Sequence, residues 1–189
     1  FLNTRYLFNP YFMGYWCSYR YYDGIEQQLR SLLTPPRPSE LSVTRMLTVI
    51  RGGLSCFIHW RSYREERGAP YASMKNYYRQ AVTKMNIKFP GIRFYVFSDY
   101  QPAARQELSG ICDQLHFVDL KESIGDMASL NDFYLMYSCD HAIIGNSTFS
   151  WWAAWLGDPE NKTVIAPQGL SPWGDDWSPP HWLALSADS

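Results

Sequence analysis

The sequence predicts an α/β domain of the doubly wound type, built on a mostly parallel sheet and preceded by a helical and irregular N-terminal segment. From residue 41 onward, short apolar runs of the strand type alternate with helical patterns of about ten residues. This alternation favours parallel strands joined by right-handed helical crossovers. Polar residues follow several of the apolar runs directly. Because ligands of such sheets bind beyond the carboxyl ends of the strands, these polar residues are the candidates for a site.

The first forty residues are predicted to be distinct from the rest of the chain. They are rich in aromatic residues and irregular, with a helix over about 22–33. The proline-rich stretch 34–39 then interrupts the helix, because a residue that precedes proline avoids helical geometry. We therefore place a boundary at residue 40, with residues 1–40 as one unit and residues 41–189 as the other.

The later elements are predicted from apolar spacing and from residues that start or stop helices. Gly52-Gly53 ends the first of these helices, Ser73 caps the second, and Pro90-Gly91 stops it. Asn131 or Asp132 opens a later helix. In chain order, the predicted elements are helix 41–50, a strand at 54–58, a charged loop at 64–72, a helix from 73 that stops at 90, strand 92–97, helix 102–108, strand 115–118, a helix from 131 or 132 to about 139, strand 142–144, a tryptophan-rich helix that ends at 157, and a last strand at 163–166.

Composition and charge exclude several classes of protein. Hydrophobic residues make up 46% and charged residues 19% of the 189 residues, which is typical of a folded domain and not of a disordered chain. The net charge of −1 provides no overall field to attract nucleic acid, so nucleic acid is not expected as a partner. No apolar run approaches the ~20 residues of a membrane span, which leaves peripheral association with a membrane open.

The cysteines and the first residue bear on the compartment. The four cysteines are scattered and lack the spacing of a metal site or a disulfide framework; they are Cys17, Cys56, Cys112 and Cys139. We expect buried free thiols in a reducing compartment, with the bacterial cytoplasm as the predicted location. Glycosylation sequons at Asn146 and Asn161 would instead fit the lumenal side of a Golgi membrane, and we interpret them as chance. Because the chain begins with Phe1 rather than Met, we expect a processed or truncated piece.

The most distinctive stretch is residues 145–155, Gly-Asn-Ser-Thr-Phe-Ser-Trp-Trp-Ala-Ala-Trp. It follows an apolar strand and is typical of a polar turn that opens a helix, where free N–H groups and hydroxyls can hold an anion. Helix capping is the alternative interpretation. The tryptophans either pack in the core or present their rings to a sugar or planar ligand. The candidate anion-binding residues are Asn146, Ser147, Thr148, Phe149 and Ser150.

Other candidates follow the predicted strands. Arg61 offers a planar guanidinium suited to a diphosphate. His59 lies on the same side of the strand and can orient Arg61 or donate to a phosphate. The alternatives are an arginine paired with a nearby glutamate and a buried structural histidine. Ser98 and Asp99 end another strand at the same edge of the sheet.

Asp132 and the absence of three common motifs limit the ligands and reactions that the sequence predicts. Asp132 is either a helix N-cap or a carboxylate that accepts the paired N1–H and N2–H₂ donors of guanine. The sequence contains no G-x-G-x-x-G, no G-x-x-x-x-G-K-[ST] and no G-x-S-x-G motif, so it supports neither a nicotinamide site, a P-loop nor that type of hydrolase. No cluster shows the spacing of metal ligands, which predicts chemistry without a metal.

Together these motifs resemble the signature of the α-1,2-fucosyltransferases, glycosyltransferase family 11. The resemblance covers residues from about 12 to about 180. Its motifs are residues 14–18, His59-x-Arg61, Tyr77-Tyr78, 94–99, 132–156, 164–167 and Trp173. It implies an enzyme of the GT-B type, in which residues 41–189 form the Rossmann-like C-terminal domain that binds GDP-fucose. Residues 1–40 would be a remnant of the N-terminal, acceptor-side domain and its linker.

The resemblance also implies a reaction and residue roles. The reaction is transfer of L-fucose from GDP-β-L-fucose to the 2-hydroxyl of a galactose-type acceptor in a glycan, with inversion and without a metal or other cofactor. Arg61 would hold the β-phosphate and stabilise the departing GDP, and His59 would act with it. The remaining donor-binding residues would be Ser98, Asp99, Asp132 at the guanine, Asn146, Ser147, Thr148, Phe149 and Ser150.

Two features depart from the family pattern. The family motif His-x-Arg-Arg-Gly-Asp-Tyr is replaced after Arg61 by Ser62, Tyr63 and Arg64, and the N-terminal Gly-Gly-x-Gly-Asn-Gln segment of the family does not occur in this sequence. The first departure motivates an alternative function, a catalytically reduced domain that binds a nucleotide sugar or a carbohydrate. A glycan hydrolase ranks last, because no pair of carboxylates stands at the strand ends.

Overall fold

The computed structural model describes residues 17–62, 74–120, 126–157, 160–168 and 175–186. The predicted charged loop at 64–72, the cap at Ser73 and the motif residues 14–16 and Trp173 lie outside these ranges. The described helices are α1 (Glu26–Leu32), α2 (Leu41–Arg51), α3 (Lys75–Lys88), α4 (Gln101–Glu107), α5 (Asp126–Tyr137) and α6 (Thr148–Leu156). The described strands are β1 (Ser55–Trp60), β2 (Arg93–Ser98), β3 (Leu115–Phe117), β4 (His141–Ile143), β5 (Val164–Gln168) and β6 (Leu183–Ser186).

The six described strands form one sheet in the order β3-β2-β1-β4-β5-β6. Every described pair is parallel, and Phe57 of β1 lies opposite Tyr95 of β2 on one side and Ala142 of β4 on the other. The central strands are near-continuous apolar runs because both faces of a parallel sheet are covered by helices.

Helices cover both faces of the sheet, which confirms the doubly wound α/β fold class. Side chains alternate along a strand, so Phe57 belongs to one core cluster, whereas Cys56 and Ile58 belong to the other. The first cluster joins the sheet to α2, α5 and α6, and the second joins it to α3. The sheet is therefore the middle of three layers, with helices on either side.

Two sequence predictions about element bounds are wrong. The strand at 163–166 is not the last, because β6 follows it and pairs with β5. Only Leu185 among the four residues of β6 is buried, so the apolar pattern that would reveal the strand is weak. In addition, α5 begins at Asp126 rather than at Asn131 or Asp132. Asn131 is 1% exposed inside this helix, and its amide donates to Glu40 Oε1 at 3.3 Å.

Part of the N-terminal segment packs against the tryptophan-rich helix. The ring centroid of Tyr22 lies 5.2 Å from those of Trp152 and Trp155. The Arg30 guanidinium lies 4.1 Å from the Trp155 centroid and donates to Gly157 O at 2.9 Å. Of the three tryptophans of α6, Trp151 and Trp155 are buried and Trp152 is partly exposed. Two of the rings thus belong to the core, while the boundary at residue 40 stays a prediction.

The described residues also bear on what the sequence predicts about the cysteines and about membrane-spanning helices. All four cysteines are free, and Cys112 is the one that is only half-buried. Burial raises the pKa of Cys139 to about 12, so this thiol stays protonated at neutral pH. Within the described residues, no helix has the length and apolar character needed to cross a membrane.

Candidate functional site

The strand order points to one place on the sheet edge. From β1 the chain builds outward through β2 to β3, and then returns to place β4 on the other side of β1. The point where the order reverses leaves a crevice outside the carboxyl ends of β1 and β4, which is where ligands of doubly wound sheets bind. His59 lies in β1, Arg61 follows it, and the turn 145–147 follows β4. The predicted candidates therefore flank this crevice.

Gly145 brings the end of β4 into close contact with β1. A Cβ atom added at this glycine would lie 2.8 Å from His59 O and 2.9 Å from the Tyr78 hydroxyl oxygen. Real Cβ atoms essentially never come closer than 3.0 Å to such atoms. Only glycine allows the chain to leave β4 at this point and enter the turn before α6.

Two tyrosines of α3 hold the strand ends from the side. Tyr78 Oη donates to His59 O at 2.8 Å, and Tyr77 Oη shares its hydrogen between Ile144 O at 2.6 Å and Ile165 O at 3.0 Å. Both rings are buried. The hydroxyls therefore hydrogen-bond carbonyls at the carboxyl ends of β1 and β4, and Tyr77 also reaches the carbonyl of the second residue of β5. Helical spacing predicted these tyrosines as core residues and gave no sign of this polar role.

A polar cavity of about 130 Å³ lies at the crevice. It is lined by His59, Arg61, Phe97, Ser98, Asp99, Ser129, Asp132 and Phe149. The structure thus brings together six of the predicted site residues, and it adds Ser129 and Phe97, which the sequence did not indicate. The other four candidates, Asn146, Ser147, Thr148 and Ser150, do not line this cavity.

Asp99 and Ser62 form a pair that the sequence did not predict. The Asp99 carboxylate accepts hydrogen bonds from Ser62 N and from Ser62 Oγ, each at 2.9 Å. This double contact ties the residue after Arg61 to the end of β2. Ser62 stands where the family motif has its second arginine, so the departure supplies a partner for Asp99. Ser98 Oγ in turn accepts from Tyr100 N at 3.0 Å.

His59 is buried beside Arg61 with an unsatisfied ring nitrogen. The residue is 4% exposed, and its Nδ1 has no hydrogen-bond partner among the described residues. Burial, opposed by Asp99 and reinforced by Arg61, lowers the pKa of His59 to about 4, so the imidazole is neutral at pH 7. A buried polar atom without a partner is unfavourable. A ligand that donates to or accepts from this nitrogen would remove the penalty.

Asp132 lies in the middle of α5 and is not a helix N-cap, so that alternative for its role is wrong. Burial, together with the charge of Asp119, raises the pKa of Asp132 from 3.8 to about 7. The carboxyl group therefore changes its charge near neutral pH, which is unusual for aspartate and typical of functional sites.

Replacing Asp132 with asparagine should change how stability depends on pH. Between about pH 4 and pH 7 the folded chain holds a proton on Asp132 that the unfolded chain has lost. The free energy of unfolding therefore falls as the pH rises through this window, by at most about 4 kcal/mol. Asp132→Asn should remove this fall. The variant should gain stability relative to the parent between about pH 4 and pH 8, as measured by urea denaturation.

His59 also makes the stability of the chain depend on pH, but this dependence does not affect the comparison of variant and parent. Its pKa is lowered, so its own contribution to the free energy of unfolding rises with pH between about 4 and 6.5. That contribution is present in both proteins and cancels in their difference. A difference between variant and parent that stays constant with pH would show that Asp132 has an ordinary pKa.

The sequence left helix capping as the alternative role of the hydroxyl residues at the start of α6. The Ser147 hydroxyl makes no such cap. Ser147 is the N-cap residue with an extended backbone, and its side chain makes no capping hydrogen bond. Ser150 is buried, and its hydroxyl donates to Ser147 O at 3.1 Å. The Ser150 hydroxyl is therefore used within the helix, whereas the first N–H groups of α6 lack a side-chain cap from Ser147.

A second, apolar cavity of about 530 Å³ adjoins the polar one. Its lining residues are Leu33, Thr34, Pro35, Pro36, Ser129, Leu130, Phe133, Thr148, Phe149, Trp152 and Leu156. Ser129 and Phe149 line both cavities. The centroid of the Phe149 ring lies 5.8 Å from that of His59 and 5.4 Å from that of Phe133, so this ring packs against one residue from the lining of each cavity. In the described ranges, no group of three or more His, Cys, Asp or Glu could hold a metal ion.

Comparison with known proteins identifies relatives. Residues 62–172, more than half of the chain, match the family model described as Glycosyl transferase family 11. An alpha-1,2-colitosyltransferase of Escherichia coli is 29% identical over an alignment of 170 residues, which covers 86% of this chain and 55% of that protein. A galactoside 2-alpha-L-fucosyltransferase of Caenorhabditis elegans is 23% identical over an alignment of 186 residues, which covers 90% of this chain and 51% of that protein.

Two further similarities are more limited. The O-antigen biosynthesis glycosyltransferase WbnK of Escherichia coli is 51% identical over 37 residues, 20% of this chain and 12% of that protein. A solved structure, "Trehalose-6-phosphate from E. coli bound with UDP-2-fluoro glucose", covers 87% of this chain and 39% of its own at 9% identity, with a TM-score of 0.49. We therefore assign the fold class from the parallel sheet and its helices, and not from this similarity. The chain spans about half the length of the two relatives that it matches along most of its own length.

Proposed function

Because the chain belongs to glycosyl transferase family 11, we propose that it binds GDP-β-L-fucose and serves the transfer of L-fucose to the 2-hydroxyl of a galactose in a glycan. In this proposal the transfer proceeds with inversion and without an essential metal. The observation that carries it is the polar cavity at the reversal of strand order, where His59, Arg61 and Asp132 meet. The acceptor galactose, the cytoplasmic location and any peripheral contact with a membrane stay predictions.

Arg61 is proposed to bind the β-phosphate of the donor. Its guanidinium can offer two parallel N–H donors to phosphate oxygens and can stabilise the charge that develops on GDP as the sugar leaves. The first turn of α6, which the Ser147 side chain does not cap, would offer further N–H donors to the diphosphate. His59 is neutral and would contribute a hydrogen bond rather than a charge.

Asp132 is proposed to bind guanine. A carboxylate accepts the N1–H and N2–H₂ donors of this base in parallel, and no other common base presents that pair of donors. The contact requires the ionised carboxylate, which prevails above pH 7 because the pKa of Asp132 is about 7. Binding experiments are therefore best carried out near pH 8.

Two alternatives differ from this proposal, one in the donor sugar and the other in catalytic activity. The relative named as a colitosyltransferase supports colitose as an alternative donor sugar, and colitose differs from fucose only by the loss of the 3-hydroxyl. The replacement of the second motif arginine by Ser62 supports the other alternative, a catalytically reduced domain that binds a nucleotide sugar. The pairing of Ser62 with Asp99 favours an ordered donor site in either case.

A thermal-shift panel of nucleotides tests the proposal. A ligand at 100 times its dissociation constant stabilises the folded state by about 2.7 kcal/mol, which raises the melting temperature of a domain of this size by about 5–10 °C. GDP and GDP-fucose should produce this shift at pH 8, whereas UDP, CDP and ADP should not. An equal shift with every nucleotide, or none with GDP, would contradict the proposal. Transfer assays with a galactoside acceptor then separate an active enzyme from a reduced one.

A further inference from the structure

Helix α3 carries a concentration of positive charge that the proposed function does not use. Its 14 residues include four basic residues and no acidic one. The whole chain has a net charge of −1 although α3 contributes +4, so the remainder carries −5. We propose that the basic surface of α3, formed by Arg79, Lys84, Ile87 and Lys88, binds the anionic headgroups of a phospholipid bilayer.

The cations of this surface are exposed and keep their charge available. The inward side of α3 is buried against the sheet, whereas Arg79, Lys84 and Lys88 are exposed. Arg79 Nη1 donates to the side-chain oxygen of Asn76 at 2.9 Å, and Lys88 Nζ donates to Thr163 Oγ1 at 2.9 Å. Because both acceptors are uncharged, these hydrogen bonds orient the two cations without neutralising them.

An exposed isoleucine lies among the cations. Ile87 is 75% exposed. At 3.6 residues per turn it lies between Arg79 and Lys84, about 80° around the helix axis from the first and about 60° from the second. Helices that lie on a bilayer combine cations, which attract anionic headgroups, with an apolar group that enters the boundary of the acyl chains. The basic surface of α3 has both components.

A second exposed apolar residue lies in the same layer, at the same end of the sheet. α3 leads to the amino end of β2, and Lys88 bonds Thr163 directly before β5. β6 is parallel to β5 and begins at Leu183, which is 42% exposed. Leu183 and Leu185 are two residues apart and face the same side of the sheet, and Leu185 packs in the core cluster with α3. Leu183 therefore adds apolar surface on the side of Ile87.

Charge and shape favour a bilayer over a nucleic acid. The cations lie on the outer surface of a single helix, which a flat bilayer can meet without touching the rest of the chain. A nucleic acid that extended beyond α3 would meet the negative charge of the remainder, and its phosphates offer nothing to the exposed Ile87. The exposed cations also outnumber the acidic residues Asp140 and Glu160, which precede β4 and β5 at this end of the sheet.

Vesicle sedimentation tests the inference on this chain. We expect binding to phosphatidylcholine vesicles that contain about 30% phosphatidylglycerol and none to pure phosphatidylcholine. One cation near an anionic surface strengthens binding about fivefold, so the double variant Arg79→Gln/Lys84→Gln should bind about 25-fold more weakly. Ile87→Ser should bind about threefold more weakly or less tightly still. Raising the salt from about 0.1 M to about 1 M shortens the screening length from about 10 Å to about 3 Å and should release the chain.

Arg45 provides the matched control. It is an exposed arginine of α2, which packs on the opposite face of the sheet. Arg45→Gln removes one positive charge, as each change in α3 does, and should leave vesicle binding unchanged. All these positions are exposed, so the melting temperature should change little. GDP affinity should not change either, because the basic surface belongs to the helix layer and to the amino end of the sheet, away from the crevice.

The outcomes are independent of the proposed function. Failure of the chain to bind GDP would contradict that function and leave this inference standing. The inference would be overturned by equal binding to neutral and anionic vesicles, by no binding to anionic vesicles, or by a double variant that binds like the parent. An equal loss for Arg45→Gln would also overturn it. If the double variant lost binding to an RNA homopolymer while the parent ignored vesicles, the partner would be a nucleic acid and the inference would be wrong.

Discussion

Replacing Arg61 with alanine should weaken GDP binding by this chain by about 10- to 100-fold. The estimate follows from the proposed contact of Arg61 with the β-phosphate, because charge-assisted hydrogen bonds contribute about 1.5–3 kcal/mol. The rate of the proposed transfer should fall further, by about 10²- to 10³-fold, because a contact with the β-phosphate strengthens as charge develops on GDP. Calorimetry with GDP and steady-state transfer assays measure the two effects.

Two further variants complete the test of Arg61. Arg61→Lys keeps the charge and loses the planar fork, so it should recover part of the GDP affinity and little of the transfer. Arg51→Ala removes an exposed arginine at the end of α2, outside the candidate site, and should have no effect on GDP. Equal GDP affinities for the Arg61 and Arg51 variants would refute the role of Arg61.

Replacing Gly145 with alanine should destabilise the fold by about 3 kcal/mol or more. The added Cβ would lie 2.8 Å from the backbone oxygen of His59 and 2.9 Å from the Tyr78 hydroxyl oxygen, and overpacking against groups that cannot move away costs about 1–3 kcal/mol or more. The melting temperature should fall by about 6–12 °C. GDP binding should weaken as well, because the clash lies between β1 and the turn before α6.

Matched variants separate this clash from the general effect of alanine. Gly52→Ala places its Cβ at ordinary contact distances, 3.4 Å or more from its neighbours, and should change the melting temperature by little. Adding Tyr78→Phe to Gly145→Ala removes one of the two close oxygens, so the double variant should lose less than the sum of the single changes. Strict additivity would show that the Tyr78 hydroxyl takes no part in the clash.

Local sequence patterns predicted the helices, most strands and the sheet edge that carries the candidate site. These features depend on apolar spacing and on residues that follow strands, which a single sequence displays directly. The predictions were wrong where local residue preferences and tertiary contacts favour different structures. Asn131 and Asp132 have the residue types of a helix cap, yet they lie inside α5, where Asn131 hydrogen-bonds Glu40.

The contacts that organise the cavity could not be predicted in the same way. Asp99 and Ser62 are 37 residues apart in sequence, and the hydroxyl of Tyr78 reaches a carbonyl 19 residues away. Neither contact produces a periodic pattern in the sequence. The raised pKa of Asp132 and the lowered pKa of His59 arise mainly from burial, which depends on how the layers pack. The candidates were thus visible in the sequence, whereas their partners and protonation states were not.

The proline-rich stretch after α1 affects where the chain can be shortened. The lining of the apolar cavity includes Leu33, Thr34, Pro35 and Pro36. Just before them in sequence, Arg30 fastens α1 to α6 by a hydrogen bond to Gly157 O and a cation–π contact with the Trp155 ring. A shortened protein that starts at residue 41 would keep the sheet and discard this wall. Truncation at the apparent linker would therefore leave the apolar cavity open to water on this side.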